Sequence, residues 1–194
     1  MAAGARLRAG GVVAFPTDTV TGLGCLASSA GGVRAVFALK GRPGENPLTL
    51  FVDGIGAAET VSGPFDARTR AMLGLVWPGA VAAVLALRGS WPEGVGRAGT
   101  VAIRMPAHPV PHALVRLAGG PLATTSANAT GEPPFADAAE ASARWGDRVV
   151  AVPGAAGSVP STVVDLTAWP PRILREGAVS AALIRELARE CERS

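Results

Sequence analysis

Residues 12–19 read Val12-Val13-Ala14-Phe15-Pro16-Thr17-Asp18-Thr19, four apolar residues followed by a proline and three hydrogen-bonding side chains. A run with no polar face is a strand covered on both sides, as in the middle of an α/β sheet. The polar trio is then left at the carboxyl edge of that strand, where open α/β sheets bind ligands. The same three residues equally suit a turn that satisfies its own backbone N–H groups. Locally, both readings stand.

Working outward, Leu48–Val52, Val81–Leu87, Thr100–Arg104, Pro121–Thr125, Val149–Val152, Thr162–Leu166 and Ile173–Arg175 read as further strands, several of them apolar throughout. Helical spacing falls between them. Val33, Val36 and Phe37 recur on one face and stop at Gly41; Asp66 caps a helix that ends before Trp77-Pro78-Gly79. Pro109 and Pro111 open another that closes at Gly119-Gly120, Asp137 caps a helix over Ala138–Trp145, and the last starts near Ser180 with Ile184, Leu187, Ala188 and Cys191 on one face. Strands interleaved with helices predict an α/β fold with a twisted mixed sheet flanked by helices, and the short gaps between residues 150 and 175 predict that part of it is antiparallel. With no repeat or linker, one domain over residues 5–194 is expected.

The 194 residues are 48% hydrophobic with a net charge of +3, which excludes a disordered chain. The longest strongly apolar stretch, Val81–Leu87, is far short of the roughly 20 residues of a membrane helix. Residues 1–10 carry Arg6 and Arg8 but no hydrophobic run with a cleavage site, so a cytoplasmic protein is expected. Cys25 and Cys191 stand alone and read as small core residues.

Several chemistries lack their residues. His108 and His112 are separated by Pro109 and Pro111, which argues against a helical pair of metal ligands and for turn or surface histidines. The serine-hydrolase elbow and the P-loop are absent. Gly22-Leu23-Gly24-Cys25-Leu26-Ala27 has a dinucleotide-like look, but it starts too far beyond Phe15, and Glu45 falls in a Pro/Gly loop where an acidic strand end is required.

Polar clusters at strand and helix ends offer more. Lys40-Gly41-Arg42-Pro43 sets two cations in a stiff loop, suited to a helix C-terminus or to a polyphosphate. Arg104 leaves its strand on the face of Thr100 and Ala102; its burial calls for an anionic ligand or for an ion pair with an Asp or Glu. Thr124-Thr125-Ser126-Ala127-Asn128 crowds hydrogen-bonding side chains into five residues, as an anion cradle or a hydroxyl-rich turn. Ser161-Thr162 and Arg175-Glu176-Gly177 repeat the pattern. Many anion-binding groups with few proton-transfer groups point to positioning and electrostatic stabilisation, as in phosphoryl or nucleotidyl transfer, with Mg²⁺ bridging the phosphates.

These segments, with Trp77-Pro78-Gly79, Val101-Ala102-Ile103-Arg104-Met105-Pro106 and Ser161-Thr162-Val163-Val164-Asp165, occur in an order that resembles the YrdC-like threonylcarbamoyl-AMP synthases of single-domain type. The resemblance implies a concave basic groove and an enzyme joining L-threonine, bicarbonate and ATP into threonylcarbamoyl-AMP with release of pyrophosphate. The product would feed a separate transferase complex that makes t6A in tRNA. It places ATP, with Mg²⁺, near Lys40, Arg42, Asn46, Thr100, Ser126, Asn128 and Arg175, and threonine near Thr19, Arg104, Thr124 and Ser161, with no catalytic protein nucleophile and no metal held by protein residues. The sequence departs from the family pattern at Thr21, Phe51, Ala80 and Pro134. Two alternatives use the same groove: a non-catalytic RNA-binding module, consistent with weak RNA or tRNA binding, and carbamoyl-adenylate chemistry on another acceptor.

Overall fold

The computed structural model of the chain describes residues 2–41 and 46–193. Its elements in chain order are α1 (Ala2–Arg8), β1 (Val12–Phe15), β2 (Gly22–Leu26), α2 (Ala30–Lys40), β3 (Thr49–Phe51), α3 (Ile55–Ser62), α4 (Ala67–Val76), β4 (Val81–Ala86), β5 (Thr100–Arg104), α5 (Pro109–Ala118), β6 (Leu122–Ser126), α6 (Ala138–Trp145), β7 (Val149–Ala151), β8 (Thr162–Asp165), β9 (Arg172–Arg175) and α7 (Ala181–Arg193). The strands form a sheet in the order β7-β1-β2-β6-β3-β5-β4-β8-β9. The pairs β1–β7, β3–β5 and β4–β8 are parallel and the others antiparallel, so the sheet is mixed, as expected.

The caps lie where the sequence places them. Asp66 accepts the Thr69 N–H at 2.7 Å, and Asp137 with Glu140 forms a reciprocal capping box around the start of α6. Gly41 and Gly119 end α2 and α5 in the left-handed conformation, which lacks a Cβ penalty for glycine.

Three elements were not legible. α1 has no strong apolar stripe, and α3 (Ile55–Ser62) has two glycines around its start. The Gly22–Leu26 fragment, set aside as a poor dinucleotide turn, is the strand β2, paired with β1 and β6. Its glycines are demanded by packing: a Cβ on Gly22 would stand 2.9 Å from the Phe15 ring, and one on Gly24 2.9 Å from Thr124 Cγ2. Within 150–175 the antiparallel pair is β8–β9 alone, because β7 pairs with β1 at the far edge of the sheet.

The two faces of the sheet differ. One buries Val12, Ala14, Leu23, Cys25, Leu50, Ile103, Ala83 and Val164 in a large core shared with α2, α3, α4, α6 and α7. The other is covered at one flank, where Val13, Phe15, Phe51 and Leu122 meet Leu7 of α1 and Leu114, Val115 and Ala118 of α5. Beyond that flank it presents Gly22, Gly24, Thr124, Thr49, Thr100, Ala102 and Val84, whose register puts them on one side. Small and hydroxyl-bearing residues there leave a concave surface at the strand ends.

Candidate functional site

A cleft of about 210 Å³ opens on that surface, lined by Thr17, Thr19, Val20, Gly22, Pro47, Thr49, Phe51, Arg104, Thr124, Thr125, Ser126, Pro134, Pro160, Ser161 and Arg175. Two arginines and seven hydroxyl-bearing residues line it, and among the described residues no carboxylate does. Such a surface receives an anion.

Arg104 ends β5 and is 2% exposed. Its Nε donates to Gly79 O at 2.8 Å, Nη1 to Thr19 Oγ1 at 2.7 Å and Nη2 to Asp18 Oδ1 at 2.6 Å, while the Phe51 ring lies 5.5 Å from Cζ. The ion-pair reading is realised in Asp18, and Arg104 also lines the cleft. A guanidinium has five N–H donors, so these bonds leave two for a ligand. Burial lowers the Arg104 pKa from its ordinary value, Asp18 opposes that shift, and the charge of Arg175 adds to it. An incoming anion relieves the repulsion between the two cations.

The turn after β1 is built by its threonines. Thr17 Oγ1 donates to Val20 O at 2.7 Å and accepts the Thr19 N–H at 3.0 Å. The two hydroxyls are 3.0 Å apart; with the Thr17 proton on Val20, Thr19 donates to Thr17 and accepts from Arg104. The turn thus satisfies itself and also holds Arg104.

Opposite, Arg175 Nη2 donates to Ser161 O at 2.8 Å and reaches Ser161 Oγ at 3.3 Å. Thr124 donates to Thr49 O at 2.8 Å across the β3–β6 pair. Ser126 donates to Asn128 Oδ1 at 2.6 Å.

Of the residues expected at the site, Thr19, Arg104, Thr124, Ser126, Ser161 and Arg175 line the cleft. Lys40 and Asn128 stand behind its wall: the Lys40 ammonium donates to Ser126 O, Asn128 O and Asn128 Oδ1 at 2.6, 2.9 and 2.8 Å, and Asn128 Nδ2 donates to Ala129 O and Glu132 O. They shape the loop that presents Ser126. Thr100 shares the concave face but starts β5, at the opposite end from Arg104, with its hydroxyl on Arg97 O at 2.9 Å; it does not line the cleft. Asn46 is exposed beside Pro47, and Arg42 lies outside the described residues.

The departures at Phe51 and Pro134 are cleft walls, whereas Thr21 is buried with its hydroxyl unpartnered. Gly79 and Asp18 escaped sequence reading as Arg104 partners. The signal for Asp18 was its place at the edge of β1; a backbone carbonyl such as Gly79 O leaves none. The lining residues do not fit a divalent cation held by the protein, and no group of three or more His, Cys, Asp or Glu suited to a metal occurs among the described residues. Among those residues no helix is long and apolar enough to cross a membrane.

Comparison with known proteins places this geometry. The Sua5/YciO/YrdC family profile, described as "Telomere recombination", matches residues 5–177. A putative threonylcarbamoyl-AMP synthase of Mycobacterium tuberculosis (strain CDC 1551 / Oshkosh) is 39% identical over 185 residues, covering 93% of this chain and 85% of that protein. The crystal structure of P. abyssi Sua5 complexed with L-threonine superposes with a TM-score of 0.89 at 34% identity, covering 96% of this chain and 56% of that one. E. coli YciO superposes with a TM-score of 0.81 at 26% identity, covering 92% and 89%. The chain thus spans just over half the length of the archaeal protein.

Proposed function

The chain belongs to the Sua5/YciO/YrdC family, and we propose that it is a threonylcarbamoyl-AMP synthase, a nucleotidyltransferase-type enzyme that joins L-threonine, bicarbonate and ATP. One observation carries the reading: a fully buried arginine, fixed on three sides by Gly79, Thr19 and Asp18, lines the cleft with two N–H groups unspent. That is a carboxylate receptor of fixed direction.

L-threonine docks its carboxylate on Arg104, between the Thr17–Thr19 turn and Thr124. The nucleotide phosphates take Arg175 and Ser126, with Ser161 on the threonine side, and because the cleft is smaller than the roughly 300–1,000 Å³ of an enclosing ligand pocket, the nucleoside extends over the open sheet face. The amine attacks the carbon of bicarbonate, a C–N bond forms and water leaves, giving the N-carboxylate. A carboxylate oxygen then attacks the α-phosphorus, and the bond to the pyrophosphate oxygen breaks. The protein supplies neither nucleophile nor base in this scheme: it aligns the carbamate with the α-phosphorus and balances charge with Arg104 and Arg175. The lining residues offer no carboxylate to Mg²⁺, which would come with the substrate, held by the triphosphate. The product passes in the cytoplasm to a transferase that modifies tRNA.

The test is pyrophosphate release, which should require threonine, bicarbonate and ATP together. ATP turnover indifferent to threonine sinks the proposal, and so does steeply salt-dependent RNA binding without nucleotide binding.

A further inference from the structure

The segment between β7 and β8 lies as a strap across the Pro16–Thr19 turn, and it touches that turn through glycines. The Gly157 N–H donates to Thr17 O at 3.0 Å. A Cβ on Gly157 would stand 2.5 Å from Asp18 O and 2.6 Å from Thr19 O, and one on Gly154 2.8 Å from the Pro16 ring. The strap then delivers Pro160 and Ser161 to the opposite wall of the cleft. There its own carbonyl is seated in turn: Ala178 N–H donates to Pro160 O at 2.8 Å, and Gly177 packs so closely that a Cβ would meet Pro160 O at 2.3 Å.

One stretch of backbone thus spans the two halves of the site. At one end it presses on the peptide groups of Asp18 and Thr19, whose side chains fix Nη2 and Nη1 of Arg104. At the other end it carries Ser161, which accepts from Arg175. Gly157 itself is exposed and its φ lies outside the left-handed region, so neither burial nor backbone conformation requires glycine there. The two carbonyls beneath it do.

We propose that Gly157 is a positioning residue: by allowing the strap to lie directly on the Asp18–Thr19 backbone, it fixes the direction in which Arg104 presents its two remaining N–H groups and the separation of Arg104 from the Ser161–Arg175 wall. The inference rests on Arg104 receiving the carboxylate of the amino acid substrate.

An alanine at 157 places a methyl group about 1 Å inside ordinary contact with the two carbonyls, and misplacement of that size in an active site costs up to roughly a hundredfold. The Gly157→Ala variant is compared with wild type by ¹⁵N NMR of the Arg104 Nη–H groups in the unliganded protein and by calorimetric titration with L-threonine and, separately, with ATP. The expected result is faster solvent exchange at the Arg104 Nη–H groups that bond Thr19 and Asp18 and a threonine Kd raised about tenfold or more, with a smaller change in ATP affinity. A folded variant with unchanged exchange and unchanged threonine affinity overturns the proposal. If wild type binds no threonine while the variant still accelerates the Arg104 exchange, the positioning role stands and the synthase reading falls. A Gly157→Ala variant that does not fold overturns the proposal as well, since the glycine then serves the fold and not the direction of Arg104.

Discussion

The ammonium of Lys40 stands 2.8 Å from Asn128 Oδ1 and bonds the backbone carbonyls of Ser126 and Asn128 as well, so the last residue of α2 ties down the loop that follows β6. Asn128 Oδ1 is also the acceptor for the Ser126 hydroxyl. The lysine acts on the cleft through that shared atom. Lys40→Met keeps much of the side-chain volume but removes the donor to the Ser126 and Asn128 carbonyls and leaves Asn128 Oδ1 only the Ser126 hydroxyl, and a buried group without a partner costs about 1–3 kcal/mol. We expect about 2–3 kcal/mol of lost stability in urea denaturation, together with weaker ATP binding and little change in threonine binding. Lys40→Arg fails to rescue, since a planar fork cannot reach three acceptors arranged around one point charge.

Arg104→Lys retains the positive charge and removes the fork. Its ammonium has three N–H donors, so serving Gly79 O, Thr19 and Asp18 at once would leave none for a ligand. Threonine affinity falls about 10- to 100-fold, the equivalent of one charge-assisted hydrogen bond, while ATP affinity holds within about a factor of three. Calorimetry with each ligand alone checks this; equal losses for both would mean that the two walls of the cleft are not separate subsites.

The helix boundaries and the strands bearing apolar runs were readable because caps and periodicity are local: Asp66, Asp137, Gly41 and Gly119 all act on residues within a turn of themselves. Six of the residues expected at the site line the cleft, and hydroxyls and arginines at strand ends stand out in sequence against apolar flanks. Lys40, Asn128 and Thr100 show where that signal stops. A cation or amide beside a polar cluster looks the same in sequence whether it faces a ligand or a neighbouring carbonyl, and the distinction rests on Ser126 O lying 86 residues from Lys40. β2 was hidden because Gly22 and Gly24 are shaped by Phe15 and Thr124 across the sheet, a tertiary demand that opposes strand propensity.

Asp66 gives an acid-sensitive contribution to stability. The Thr69 N–H, with further help from Arg68, holds its carboxyl below the ordinary carboxylate range. A depressed folded-state pKa contributes stability above the unfolded value and loses it as pH falls through the folded one. Asp66→Ala therefore destabilises by about 1 kcal/mol at pH 7, the usual worth of an N-cap, and the gap between variant and wild type closes as the pH drops below the ordinary carboxylate pKa. Urea midpoints across that range decide it; a gap that is constant with pH assigns the cap no charge dependence.

The two thiols should separate global from local opening. Cys25 lies at the centre of β2, fully buried, and burial pushes its pKa up to about 12. The thiolate is the reactive form, so at pH 8 the folded protein presents almost none of it, and the β2 position within the sheet permits exposure only when the sheet itself opens. Cys191 is also buried, with a thiol raised by burial and by the neighbouring Glu190, but it sits in the last turn of α7, a helix laid on the outside of the core. A helix packed on the outside of the core undocks at lower free-energy cost than a strand hydrogen-bonded on both sides. A thiol reagent at pH 8 should thus label Cys191 first, at a rate that Leu187→Ala increases by loosening α7 from the core. Cys25 should label only at the rate of global unfolding, tracking the urea dependence of the whole transition. Mass spectrometry of the labelled peptides over time distinguishes the two; simultaneous labelling would mean that α7 and the sheet unfold as one unit.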